Sequence, residues 1–161
     1  MTIEEYIPHL EKLKGELRKR VMDAQQTATQ AAVNMARQRT APNDGIPRGV
    51  NMVTGNMDRH WETDSKVIPV DRGDSFATEL NCKVSYASYV NHGHWLYRHF
   101  VPGLYIDGNQ LISRTYKPGI GLIVAKGGQK WVQGRFMEDA AIKEYRDVLQ
   151  AELRKVGEIW K

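Results

Sequence analysis

The sequence predicts an α+β domain: a long N-terminal helix and a C-terminal helix packed on a small, mainly antiparallel sheet, with a long irregular aromatic loop. Three observations predict it. Apolar residues recur at steps of three and four over the first forty residues, and again from Gly134 to Trp160. Between these lies a segment, Phe76 to Val84, that alternates at period two. Residues 94–118 follow neither period and are rich in aromatics and glycine. With 161 residues, the chain suits one domain, large enough to bury a core without disulfide or metal staples.

The elements follow in order. Residues 1–41 read as one helix with Ile3, Ile7, Leu10, Leu13, Leu17, Val21, Ala24, Ala28, Ala31 and Met35 on one stripe. Thr2 with Glu5 matches a capping box. Pro8 lacks an N–H, so it should bend the first turns or move the regular start to that point. The stripe begins with Ile and Leu and ends with Ala and Met, so the second half should pack tightest. Residues 42–55, with Pro42, Gly45, Pro47 and Gly49, form a long loop of the kind that is often functional. Residues 56–93 hold short helices and strands. Thr54 caps a helix through Met57 and Trp61; Lys66–Val70 and Phe76–Val84 are strands joined by a turn at Asp71–Asp74. Tyr86–Gly93 is a short helix closed by glycine. Residues 94–118 are the extended loop. Residues 119–161 hold a strand through Ile120, Leu122 and Val124 and the final helix, whose stripe is Phe136, Ala140, Tyr145, Leu149, Leu153, Val156 and Trp160.

Composition narrows the function classes. No run approaches the roughly 18 apolar residues of a membrane helix, and no Sec-type signal is visible at the acidic N-terminus. A single cysteine, Cys82, excludes an intrachain disulfide and a Cys-based zinc module. The net charge is +4. Residues 1–40 hold seven Lys/Arg and five Asp/Glu, 41–135 eleven and eight, and 136–161 five and six, so no third is strongly one-signed. Lys12–Arg20 is the densest basic stretch. It reads as the solvated face of a helix, with a phosphate-binding stripe as the alternative.

His92, His94 and His99 have a spacing that could share an ion, but no carboxylate ligand lies close in sequence, so no metal site is expected. Ser85 and Ser88 sit near His92 outside any nucleophile elbow. Glu62, Asp64 and Glu79 lack an obvious acid–base partner, and the Gly119-Ile120-Gly121 and Gly127-Gly128 glycines lack the Lys-Ser/Thr of a phosphate loop. Cys82 reads as a small core hydrophobe. No catalytic residue, cofactor or metal is therefore expected, and the protein is not expected to be an enzyme. The aromatics are more telling: Trp95, Tyr97, Phe100, Tyr105, Tyr116 and Trp131 cluster with Arg98, His99 and Arg114. This mixture fits an interaction surface. It also fits a flap over the protein's own sheet, or a base-stacking face.

Three segments carry a family resemblance. Tyr86-Ala87-Ser88-Tyr89-Val90-Asn91-His92-Gly93-His94 resembles a Tyr-Ala-x-Tyr-Val-Glu/Asn-x-Gly pattern, and Val132-Gln133-Gly134-Arg135-Phe136-Met137 resembles the Pro-x-Pro/Gly-x-Phe-Leu/Met segment that opens the same family's last helix. Thr54-Gly55-Asn56-Met57 is similar to its Thr-Gly-x-Leu segment. The family is that of tail-component, head–tail joining (neck and tail-completion) proteins of tailed bacteriophages. The 94–118 stretch departs from it, since many members have only a short loop there. The resemblance implies a structural virion protein found in the neck or tail, and in the host cytoplasm during assembly. It also implies a homo-oligomeric ring, with a hexamer favoured. Implied partners are neighbouring neck proteins, a tail terminator or tail tube, and, transiently, DNA passing the channel; no membrane is implied. Within it, Thr54, Gly55, Tyr86, Ala87, Tyr89, Val90, Gly93, Gly134, Arg135 and Phe136 would be motif and core positions. Trp95, Tyr97, Arg98, His99, Phe100, Tyr105, Arg114, Tyr116 and Trp131 would meet a neighbour. A nucleic-acid-binding protein using Lys12–Arg20 and the aromatic loop is the alternative.

Overall fold

Apolar stripes need a surface to cover them, and here each helix covers the other. The computed structural model describes residues 3–40, 56–102, 104–107, 110–113 and 121–157. Helix α1 (Ile3–Thr40) and helix α4 (Met137–Gly157) form the scaffold. Thr40 at the end of α1 touches Met137 at the start of α4, and Thr29 lines a groove with Ala141 and Tyr145. The two helices therefore run antiparallel. Ala24, Ala28, Ala32 and Ala36 repeat every fourth residue and are buried with Val33. Small side chains let helix axes approach closely, and the packing distance depends on them. Pro8 lies inside α1 rather than at its start, against the expected displaced start; the helix runs from Ile3.

Helix α2 (Asn56–Asp64) closes the end of this seam. Met57 and Trp61 join Ala32, Ala36, Met137 and Ala141 in the core. Burying one large apolar side chain of this kind contributes roughly 1.5–3 kcal/mol. The Trp61 indole N–H donates to Thr40 Oγ1 at 3.0 Å, so its polar atom is satisfied. Arg37 on α1 meets Asp58 at 3.0 Å and Glu62 at 2.8 Å, fixing α2 against α1. The hydrogen bond to Asp58 holds the Arg37 guanidinium above its ordinary range.

Strands β1 (Lys66–Asp71) and β2 (Phe76–Glu79) pair antiparallel. Their register shifts between Lys66 and Val70, around Pro69, which has no N–H to give the ladder. The expected strand through Val84 is shorter than predicted. Past Glu79, Ser65 Oγ exchanges hydrogen bonds with the Asn81 backbone at 3.0 and 3.2 Å in place of a ladder. The alternation survives without a partner strand: Leu80, Cys82 and Val84 still pack on the core. The Asp64 carboxylate accepts the Lys83 N–H at 2.8 Å, which lowers its pKa, with His60 adding to the effect.

Helix α3 (Ala87–His92) follows, then β3 (Gly93–Leu96), β4 (His99–Pro102), β5 (Leu104–Asp107), β6 (Gln110–Ser113), β7 (Gly121–Val124) and β8 (Lys130–Gln133) before α4. The fold is α+β, with helices dominant and the strands in antiparallel pairs. The expected 42–55 loop with Thr54 and Gly55, Thr2 of the capping box, and Trp160 lie outside the described residues. The final helix begins at Met137, three residues later than expected.

Candidate functional site: an aromatic arm on a built junction

Two of the three segments that carry the family resemblance, Tyr86–His94 and the one that opens the last helix, come together in space. Helix α3 ends at Gly93, whose φ of 84° falls in the left-handed region that glycine tolerates. Arg135 N–H donates to the Val90 carbonyl at 3.0 Å, and Phe136 N–H to the Asn91 carbonyl at 2.9 Å. A Cβ on Gly134 would lie 2.4 Å from the His92 carbonyl carbon and 2.5 Å from Asn91 O, so backbone meets backbone there.

Asn91 is the residue whose role the sequence did not disclose. Its side chain is 6% exposed, and Oδ1 accepts the Glu138 N–H at 3.1 Å. It thus caps the first turn of α4 from another element, satisfying one of the donors a helix start leaves open. The signal was there in principle: Phe136, just before α4, has no side-chain acceptor of its own. Phe136 also takes a φ of 50°, unusual for a bulky residue. Arg135 caps the opposite kind of terminus. Its Nη1 donates to the Arg39 and Thr40 carbonyls at 3.1 and 3.0 Å, at the negative end of α1. Ala87 and Val90 are partly buried on the core, as expected. Tyr86, Tyr89 and Phe136 are 41–61% exposed, so they are surface rather than core positions. Their backbone builds the junction while their rings face out.

From this junction an arm extends, and it corrects the sequence expectation for 94–118. Over its described residues the chain forms nested antiparallel pairs rather than an irregular loop: β3 with β8, β4 with β7, and β5 with β6; residues 103, 108–109 and 114–118 lie outside the described residues. The sequence hid them because a ribbon with two open faces needs no period-two alternation, and β3 and β8 are far apart in the chain. Trp131, expected among the aromatics of irregular sequence, sits in β8 directly opposite Trp95. The two rings meet edge to face at 5.3 Å, a favoured aromatic pairing. The Phe100 ring covers Gly121 on β7, where a Cβ would fall 2.3 Å from it. Tyr105 lies in β5 opposite Ile112. Arg114 and Tyr116 lie outside the described residues.

Four of the arm's aromatics lie open rather than folded away. Trp95, Tyr97, Phe100 and Trp131 are 43–60% exposed, and Arg98 and His99 are exposed beside them. Isolated two-stranded ribbons are marginal in water and need a further surface to pack on. Charge follows the same boundary. Residues 93–133 hold five Lys/Arg against the single acid Asp107, a net +4 that equals the charge of the whole chain. The even spread seen in thirds of the sequence therefore dissolves when the chain is divided at structural boundaries.

The remaining candidates separate. His94 Nδ1 lies 3.4 Å from the Tyr89 carbonyl, His99 Nδ1 lies 2.6 Å from the Tyr97 carbonyl, and His92 lies beside Ser88 and Asn91. Among the described residues, no three His, Cys, Asp or Glu side chains gather in one place. Glu62 pairs with Arg37 and Glu79 with Lys66. Cys82 is partly buried, and that burial pushes its thiol pKa up. The Lys12–Arg20 cations do not form a stripe. At about 100° per residue, Lys12, Lys14, Arg18, Lys19 and Arg20 point all round the helix. Arg18 is engaged with Asp71 at 2.7 Å and Gly73 O at 2.9 Å, its guanidinium 5.1 Å over the Phe76 ring. That ion pair lowers the Asp71 pKa. Among the described residues no helix is long and apolar enough to cross a membrane. The arm is thus a cationic ribbon with exposed aromatics, set on a hydrogen-bonded junction. No protein-family model, curated protein or solved structure matches the chain.

Proposed function

We propose that this chain is a structural virion subunit of the neck or tail-completion region of a tailed phage, assembling into a ring that joins tail to head. The observation that carries the proposal is the uncovered aromatic arm, held on a junction built from two of the three segments that resemble that family. A ring of identical subunits needs one patch on each copy to meet a different patch on the next. A two-stranded ribbon with exposed Trp95, Tyr97, Phe100 and Trp131 is suited to be one of these patches. The place in the virion, the hexamer, and contacts with neighbouring neck proteins, a tail terminator or a tail tube rest on the resemblance.

The test removes the arm at its base. Joining Leu96 to Lys130 by an Asn-Gly turn keeps the β3–β8 pair and deletes the rest. The shortened chain is expected to fold but not to enter particles, while electron microscopy of particles made with the intact chain shows density at the neck. Normal particles built with the shortened chain, or intact chain absent from particles, would overturn the proposal. A second reading, nucleic-acid binding, draws on the arm's net +4 rather than on Lys12–Arg20. A gel shift that weakens steeply with salt is the outcome it requires.

A further inference from the structure

The arm is not the only uncovered apolar surface. Among the described residues, the first turns of α1 leave much of their stripe open: Tyr6, Ile7 and Leu10 are 47–52% exposed and Leu17 is 37% exposed, while Leu13 is partly buried. Further along the helix the row Ala24, Ala28, Ala32 and Ala36 is buried. Glu4 and Glu11 stand three residues before and four residues after Ile7, and so flank the stripe on its own face. Residues 3–11 contain three acids, Glu4, Glu5 and Glu11, and no Lys or Arg; Lys12 and Lys14 follow, so the acidic part of the stripe is confined to the turns around Ile7 and Leu10.

These two surfaces differ in sign and stand far apart in one molecule. The arm is rooted by Arg135 at the C-terminal end of α1. The acidic stripe occupies the other end of a helix of 38 residues, about 57 Å long. Like charge disfavours pairing of arm with arm or of stripe with stripe, whereas opposite charge favours arm on stripe. A contact between two different patches at opposite ends of a subunit is heterologous, and it closes into a ring when the rotation permits.

We propose that the arm of one copy seats on the first turns of α1 of the next copy. The Trp95–Trp131 pair and Phe100 cover Ile7 and Leu10. Arg98 and Lys130 lie against Glu4 and Glu11. This deepens the assembly reading above and rests on it for the ring, but the contact can be tested by itself.

The experiment is sedimentation velocity on the full chain over micromolar concentrations at low and high salt, with circular dichroism to check folding. The wild-type chain is expected to self-associate, more weakly at high salt. The E4K/E11K chain and the R98E/K130E chain, each alone, are expected to associate about tenfold more weakly or worse. Mixing those two reversed chains restores association, because each supplies the complement of the other. A chain that stays monomeric throughout, reversals without effect, or a mixture that fails to recover would overturn the contact. A monomer that instead shifts DNA would assign the arm to nucleic acid and overturn it equally. Restored association without density at the particle neck would overturn only the phage reading; a neck ring indifferent to the reversals would overturn only this contact.

Discussion

The two halves of α1 carry one continuous stripe and meet opposite environments. From Ala24 to Ala36 the buried row is the small residues Ala24, Ala28, Ala32 and Ala36, the last two packed on Met137 and Ala141 of α4, while Ala31 and Met35 of the expected stripe are only partly buried. From Tyr6 to Leu17 the stripe is made of large residues, and all but the partly buried Leu13 lie open. Period alone predicts a helix; residue size predicts what can cover it. Alanines admit a second helix at close range, so that half is completed within the chain. Large aliphatic side chains offer more apolar area to a surface that comes from outside. The arm repeats this contrast, since its base is locked into the junction while its aromatic faces stay uncovered.

The contrast can be broken most severely where the covered half is closed. Gly134→Val places a branched side chain where even a Cβ meets backbone at 2.4 and 2.5 Å. The expected cost is about 3 kcal/mol or more by urea denaturation, or loss of folded protein. Ala36→Leu overfills the seam between α1, α2 and α4, where Ala36 is fully buried, and should cost about 1–3 kcal/mol. Asn91→Ala leaves the Glu138 N–H without its acceptor, at about 1–2 kcal/mol. Hydrogen exchange should show the loss first in the opening turn of α4. An Asn91→Ala protein as stable as the parent would mean that water or a neighbouring group caps α4 equally well.

The sequence made some of this legible and hid the rest for physical reasons. Long helices announce themselves by repetition, so α1, α4 and even the short α2 and α3 were readable from spacing. The close packing of the second half of α1 was readable from its alanines. The strand at Phe76 was readable but overlong, because inward alternation continues to Val84 after the partner strand has ended. The arm was illegible as strands. Its pairs join residues distant in the chain, and neither face is committed to a core that would impose alternation. The aromatic composition still located it. Tyr86, Tyr89 and Phe136 were assigned to the core on motif membership, yet it is their backbone that the junction uses. Asn91 escaped notice because its cap reaches a helix that starts far along the chain.

The smallest effect sharpens the comparison furthest. Leu10→Ala reverses the residue exchange of Ala36→Leu on the same helix. Leu10 is 47% exposed, so shortening it removes little buried area and opens no cavity. Alanine is also the stronger helix former. The monomer's stability should therefore stay within about 0.5 kcal/mol of the parent. Self-association, by contrast, should weaken measurably if the open half of α1 is completed by another copy. Thermal denaturation at low concentration and sedimentation at high concentration read the two quantities separately. A large loss of monomer stability would mean that Leu10 is already covered within the chain. The two halves of α1 would then differ in residue size but not in kind.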